Sequence, residues 1–249
     1  MTYRAISLFL APCLALVASG CGGAAPDAEE PTAQDQMPVE EVTTEPEPAA
    51  SIEAEPESAP ESEPPPAPAY EKPEGAITVK LETTKGDIVI DVVPEWAPKG
   101  SERFLELVRT GYYNDVAFFR VMKGFMAQTG VSGDPKLNKK WGKKRIKDDP
   151  VLKRNTRGTV TFAHAGKNSR TTQFFINLVD NTQLGASGFT VFGQVRDMTA
   201  ADALYSGYGD GPPNGNGPDQ QKIKKKGNAF LKEKFPELDY IISATIVEE

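Results

Sequence analysis

The sequence has a single histidine, His164, and only two cysteines, Cys13 and Cys21, in 249 residues. A histidine pair for zinc is therefore impossible, and two cysteines so near the amino terminus exclude a disulfide framework. Aromatic residues are almost missing from residues 22–75, where Tyr70 stands alone, and large aliphatic residues are scarce there. The same stretch holds fifteen acidic residues against one lysine, Lys72, and twelve of the 21 prolines. Such a segment buries too little apolar surface to offset its ordering entropy, and its like charges extend it further. It reads as a disordered tether. Residues 76–249 hold 26 basic and 20 acidic residues, so the overall charge of −7 averages two unlike polymers. These 174 residues are ample for a single domain.

Residues 1–20 have the pattern of a signal peptide. Arg4 supplies the positive end, and Ala5 to Ala18 form an apolar run too short to span a bilayer comfortably. The run ends in Val17-Ala18-Ser19-Gly20-Cys21, which resembles the lipobox of bacterial lipoproteins. That resemblance implies lipidation of Cys21 and attachment to a membrane through the acyl chains. Gly22 follows the cysteine where an aspartate is absent, which by the same resemblance points to the periplasmic face of the outer membrane. An ordinary cleaved signal peptide with an incidental cysteine is the alternative. The expected organisation is thus a signal peptide at 1–20, a lipidated and tethering segment at 21–75, and a folded domain at 76–249.

Within the folded part, Ile77 to Thr83 alternates apolar and polar residues and Lys85-Gly86-Asp87 turns the chain into Ile88–Val92, a hairpin pattern. Pro98 to Arg109 reads as a helix with Phe104, Leu105 and Val108 on one face and Gly111 as a stop. Short apolar runs recur at Val116–Val121, Gly124–Gln128, Thr159–Ala163, Gln173–Asn177, Phe189–Val195 and Tyr240–Val247. Thr199 to Tyr205 predicts a second short helix. Many short strands, two helices and Gly-rich turns predict a mainly-β, closed antiparallel barrel of about eight strands.

Familiar catalytic constellations are missing. His164 has no nucleophile elbow near it, and Gly166-Lys167 lacks the upstream glycine and following hydroxyl of a phosphate loop. Asp210–Asp219 lacks a calcium-loop spacing and reads as a surface loop. Two segments stand apart. The first runs Phe118-Phe119-Arg120-Val121-Met122-Lys123-Gly124-Phe125-Met126-Ala127-Gln128-Thr129-Gly130; the second is Phe162-Ala163-His164-Ala165-Gly166-Lys167-Asn168, followed by Gln173-Phe174-Phe175-Ile176-Asn177. Together they closely resemble the two signature stretches of the cyclophilin family of peptidyl-prolyl isomerases, and the resemblance extends from Ile77 to Val247.

That resemblance implies a cyclophilin-like barrel, isomerisation of X-Pro bonds, proline-containing polypeptide substrates, and no cofactor or metal. It implies that Arg120 is the catalytic donor. Phe125, Met126, Phe175 and Leu184 match the family's proline pocket, Gln128 and Gln173 its polar flank, and Ala163 and Ala165 the adjoining groove. His164 stands where an asparagine is usual, Phe189 replaces a histidine, and Gln183 occupies a position often held by tryptophan. Taken singly, Phe125, Met126 and Phe175 would be ordinary core residues; their order and spacing carry the pocket reading. A non-catalytic holder of proline segments, acting as chaperone or scaffold, is the rival function. Lys136 to Lys147, seven basic residues around Trp141, reads as a solvated loop that would meet an anionic surface, an acidic client or the tether. The stretch Gly207–Leu238 is an insertion with a short helix at Asn228–Phe235. Neither basic stretch has the aromatic interleaving of a nucleic-acid groove, so no nucleic acid is expected, and the protein is expected to be a monomer.

Overall fold

The computed structural model describes residues 70–248; the expected signal peptide, Cys21 and most of the expected tether lie outside the described residues. The first hairpin forms as its alternation predicts. Strand β1 (Ile77–Thr83) pairs antiparallel with β2 (Gly86–Val92), and Val79, Leu81, Ile88 and Ile90 are fully buried on one face. Period-two alternation puts those residues on one side of the sheet, which then needs a cover.

Helix α1 (Pro98–Arg109) is that cover. Phe104, Leu105, Leu107 and Val108 are buried beneath it. The Phe104 ring meets Phe174 edge-on at 5.2 Å and Phe192 at 5.0 Å, which ties the helix to two strands across the sheet. Its N-cap residue, Ala97, offers no side-chain acceptor. The missing acceptor comes from Asp149, far along the chain, whose carboxylate takes the backbone N–H of Lys99 (3.2 Å) and Gly100 (2.9 Å). First-turn N–H groups have no partner within the helix, so an acidic side chain there stabilises it.

Beyond α1 the chain forms β3 (Val116–Ala117), β4 (Arg120–Val121) and β5 (Met126–Thr129), then α2 (Pro135–Trp141), β6 (Thr159–Phe162) and β7 (Phe174–Asn177). A 3-10 helix (Thr182–Ser187), β8 (Val191–Val195) and α3 (Thr199–Asp202) follow, and α4 (Gln220–Lys226), α5 (Asn228–Lys234) and β9 (Tyr240–Ile246) end the fold. The nine strands form one curled antiparallel sheet in the order β3-β9-β1-β2-β8-β6-β7-β5-β4. The expected closed ring is not what the ladders give: among the described residues none joins β3 to β4. The two end strands are successive parts of the run Val116–Val121, separated only by Phe118 and Phe119, and no ladder joins them. The chain instead changes partner there, β3 pairing with β9 and β4 with β5. Phe118 and Phe119 sit at the change and enter different cores.

Among the described residues five α-helices and a 3-10 helix replace the two expected on the barrel, α5 being the short helix expected in the insertion. The basic stretch 136–147 is not simply a solvated loop. Its first half is α2, and Trp141 is 3% exposed, with the Tyr112 ring edge-on at 6.2 Å and Lys144 Nζ 4.1 Å from the indole centroid. Burial of the indole folds the segment down, and the lysines bind its face. The insertion is likewise structured. Ile223, Leu231 and Leu238 form a second, smaller core with Ala117, Phe119 and Val131.

Asp149 also pairs with Arg170, which is 1% exposed, through Nη2 at 3.0 Å. Arg170 Nη2 reaches the Lys147 carbonyl as well. The pair thus joins the start of α1 to the loop between β6 and β7. Removing one member of a buried ion pair leaves the other charge uncompensated, at a cost of about 3–5 kcal/mol. Asp149→Ala is expected to destabilise the domain by about 3 kcal/mol in urea unfolding, with Arg170 left to the partly exposed Asp148 at 3.5 Å. A loss below about 1 kcal/mol would show that water reaches the site.

Candidate functional site

The register of three strands assembles the site. Arg120 on β4 lies opposite Gln128 on β5, Gln128 opposite Phe175 on β7, and Phe175 opposite Thr161 on β6. Directly opposed residues share a face, and Met126, two residues from Gln128, shares it too. One row of backbone pairing therefore places a guanidinium, an amide and an aromatic ring side by side.

The edges of the site come from elsewhere. Phe125 is turned in by its backbone, since its carbonyl accepts the N–H of Leu178 (3.0 Å) and the Asn181 amide (2.9 Å). Leu184 is delivered by the 3-10 helix. Phe189 follows the left-handed turn at Gly188 (φ 81°), its ring stacked on His164 at 4.0 Å and edge-on to Phe175 at 5.8 Å. These groups enclose a cavity of about 220 Å³ lined by Arg120, Phe125, Met126, Gln128, Ala163, His164, Phe175, Leu184, Phe189 and Gln220.

The polar wall is a chain of hydrogen bonds. Arg120 Nη1 donates to Gln128 Oε1 (3.2 Å), and Gln128 Nε2 donates to Gln173 Oε1 (2.9 Å). On its other side Arg120 donates through Nε and Nη2 to the two carboxylate oxygens of Asp210, at 2.6 and 2.9 Å. The guanidinium carbon lies 5.8 Å from the Phe125 ring centroid. Burial raises the pKa of the Asp210 carboxyl, but hydrogen bonds and charge from Arg120, with help from the Gly211 N–H and Asn214, outweigh it and hold it below the ordinary carboxylate range. Burial is the main influence on His164 and lowers its pKa, against the raising charge of Asp148. Its Nδ1 accepts the Gly166 N–H at 3.2 Å, so the neutral ring serves as a stacking surface.

Of the groove residues singled out in the sequence, all but three line the cavity. Gln173 stands one step back, behind Gln128, on a neighbouring cleft. Ala165 lies on the exposed loop, its N–H on Ser169 Oγ (2.8 Å), and Gln183 is exposed on the 3-10 helix. Two contributors were missed, Asp210 and Gln220. Both belong to the insertion, and no local pattern marks them, because the Asp210 pair spans ninety positions. Among the described residues no cluster of three His, Cys, Asp or Glu side chains is placed to hold a metal ion.

Residues 78–233 match the family described as cyclophilin type peptidyl-prolyl cis-trans isomerase/CLD. Peptidyl-prolyl cis-trans isomerase B of Escherichia coli is 35% identical over 182 residues, covering 69% of this chain and 99% of that protein. Peptidyl-prolyl cis-trans isomerase-like 3 of Homo sapiens is 43% identical over 128 residues, covering 49% of this chain and 76% of that one. The fold matches the crystal structure of a cyclophilin type isomerase from Cryptosporidium parvum with a TM-score of 0.52 and 23% identity, over 70% of this chain and 99% of that chain.

The pKa directions fix a pH response. A lowered imidazole pKa keeps His164 neutral above its ordinary value, and a lowered carboxyl pKa keeps Asp210 ionised. Isomerase kcat/KM on a peptide without titrating side chains is expected to stay level between about pH 6.5 and 9. A sigmoidal step in that window would show that one of the two groups carries a proton there.

Proposed function

The chain belongs to the cyclophilin-type peptidyl-prolyl cis-trans isomerases, and on that premise we propose that it assists the folding of extracytoplasmic proteins from a lipid anchor, with Arg120 as its catalytic donor. An X-Pro bond rotates over a barrier of about 18–20 kcal/mol because amide resonance is lost on the way. Unaided exchange takes on the order of tens to hundreds of seconds. No covalent bond is made or broken, so neither a nucleophile nor a general base is required.

Two things lower such a barrier. An apolar slot fixes the proline ring, and a donor stabilises the prolyl nitrogen once it has become pyramidal and basic. Phe125, Met126, Phe175, Leu184 and Phe189 supply the slot. Arg120, always protonated and already oriented, supplies the donor. A planar amide nitrogen is a poor acceptor and a twisted one is good, so the same N–H binds the transition state better than either ground state. The observation that carries this reading is a guanidinium on the rim of a cavity whose other wall is the apolar set Phe125, Met126, Phe175, Leu184 and Phe189. Gln128 and Gln173 extend a polar wall along which the backbone flanking the proline can lie. The anchor rests on the lipobox at Val17–Cys21. The tether, rich in proline and like charge, would let the isomerase range away from the bilayer.

Arg120→Ala is expected to lower kcat/KM by at least tenfold, about 1.4 kcal/mol of transition-state stabilisation, with its unfolding midpoint near that of the parent. Near-parental isomerisation by the folded variant would remove Arg120 from the mechanism. For the anchor, Cys21→Ser is expected to abolish metabolic labelling with a fatty acid and to release the protein from the membrane fraction. An unlabelled parent protein whose mature chain begins elsewhere would refute the anchor.

A further inference from the structure

Arg120 sits on a strand of only two residues at one end of the sheet. Ladder pairing fixes its Cα, but its four-bond side chain carries about 2 kcal/mol of rotamer freedom. A donor that has to find its orientation during the reaction forfeits much of its electrostatic value, since preorganisation is what makes such a group effective. Something must hold the guanidinium, and the insertion does so.

We propose that Asp210 is a positioning residue for isomerisation, holding Arg120 so that its remaining N–H groups face the prolyl bond. The inference rests on Arg120 being the donor. A guanidinium has five N–H groups. Asp210 takes one from Nε and one from Nη2, side-on, and Gln128 takes one from Nη1. One N–H on Nη1 and one on Nη2 are left for substrate. A carboxylate that sequestered the group would grip it end-on, through Nη1 and Nη2 together. Asp210 also keeps out of the apolar cavity; it lines the cleft on the far side of Arg120, with Phe119, Gly211 and Pro212. Arg120 and Gln220 line both spaces and form the partition between them.

The carboxylate is itself held. Its Oδ1 accepts the Gly211 N–H at 2.7 Å, and the Asp210 carbonyl accepts the Gly217 N–H at 2.8 Å. The Gly211 carbonyl takes the N–H groups of Asn214 and Gly215, both at 3.1 Å. The loop wraps so tightly that a Cβ at Gly217 would lie 2.8 Å from the Asp210 carbonyl oxygen, and one at Gly215 would clash with the same atom. Tyr208, two residues before Asp210, is clamped between Tyr205 and Phe235 at 5.1 Å from each. Phe119, next to Arg120, enters the same small core as Tyr208. One insertion therefore fixes both the backbone beside the arginine and the far end of its side chain.

The test is a double-mutant cycle on the full-length protein. Asp210→Ala and Asp210→Asn are each made with and without Arg120→Ala, and kcat and KM are measured separately by NMR exchange on an Ala-Pro peptide. Asp210→Ala is expected to lower kcat by about fivefold or more and to leave KM within about twofold. Asp210→Asn, which keeps the shape and one acceptor, should fall between. In the Arg120→Ala background the Asp210 changes should move kcat by less than about 1.5-fold, because the group they position is gone. Unchanged or raised kcat in the Arg120-containing variants would overturn the proposal, a rise identifying Asp210 as a restraint on the enzyme. Equal losses in both backgrounds would also overturn it, by showing that the loop acts only on the fold. An Arg120→Ala protein as active as its parent would instead sink the donor role on which the inference stands.

Discussion

Everything at the groove depends on where one guanidinium is held. On the proposed reading the apolar wall of the cavity seats a proline ring, but seating alone favours the planar and twisted amides alike. Discrimination between them needs a charged donor fixed at the rim before the substrate arrives. The fold puts Arg120, the proposed donor, on a two-residue strand at one end of the sheet and then surrounds it. Gln128 grips it from across the hairpin, Asp210 from the insertion, and the Phe125 ring lies beneath. The side chains of Arg120 and Asp210 are about a quarter and a fifth exposed, so the pair is shielded without meeting the desolvation cost of full burial.

The two cores divide the work. The larger one, built around Phe104, Phe162, Phe174 and Phe192, sets the curvature of the sheet and so the spacing of Met126, Phe175 and Phe189. The smaller one, built around Phe119, Ile223 and Leu231, turns the insertion onto the back of Arg120. Between them Asp149 joins the first turn of α1 to Arg170 in the loop that carries Ala163 and His164. A change in either core is therefore felt in the groove, through different residues. Where Arg170 pairs with Asp149 beneath the loop that carries His164, Asp210 pairs with Arg120, the proposed donor.

Local pattern made part of this legible. The alternation Ile77–Thr83 yields the first hairpin, and the apolar face of Pro98–Arg109 yields α1, because period and burial agree there. The resemblance of Phe118–Gly130 and Phe162–Asn177 to the cyclophilin signatures named Arg120, Met126, Gln128 and Phe175, which the sheet register brings together. What stayed hidden is long-range. Trp141 among seven basic residues looks solvated until Tyr112 and Arg103 are seen to cover it. The change of partner at Phe118 and Phe119, which leaves the ring of ladders open, depends on where β9 and β5 lie. Asp210 sits in a Gly- and Pro-rich loop with no sign of function in its neighbours, and its role follows only from the arginine it meets.

The account stands most directly on the position of Arg120 when substrate is bound. A crystal structure of the protein with an Ala-Pro peptide in the cavity would measure it. The proline ring is expected between Phe125, Met126 and Phe175, with Arg120 still paired to Asp210 and Gln128 and a free N–H directed at the prolyl nitrogen. A guanidinium that had left Asp210 to reach the peptide, or a proline seated elsewhere, would contradict it.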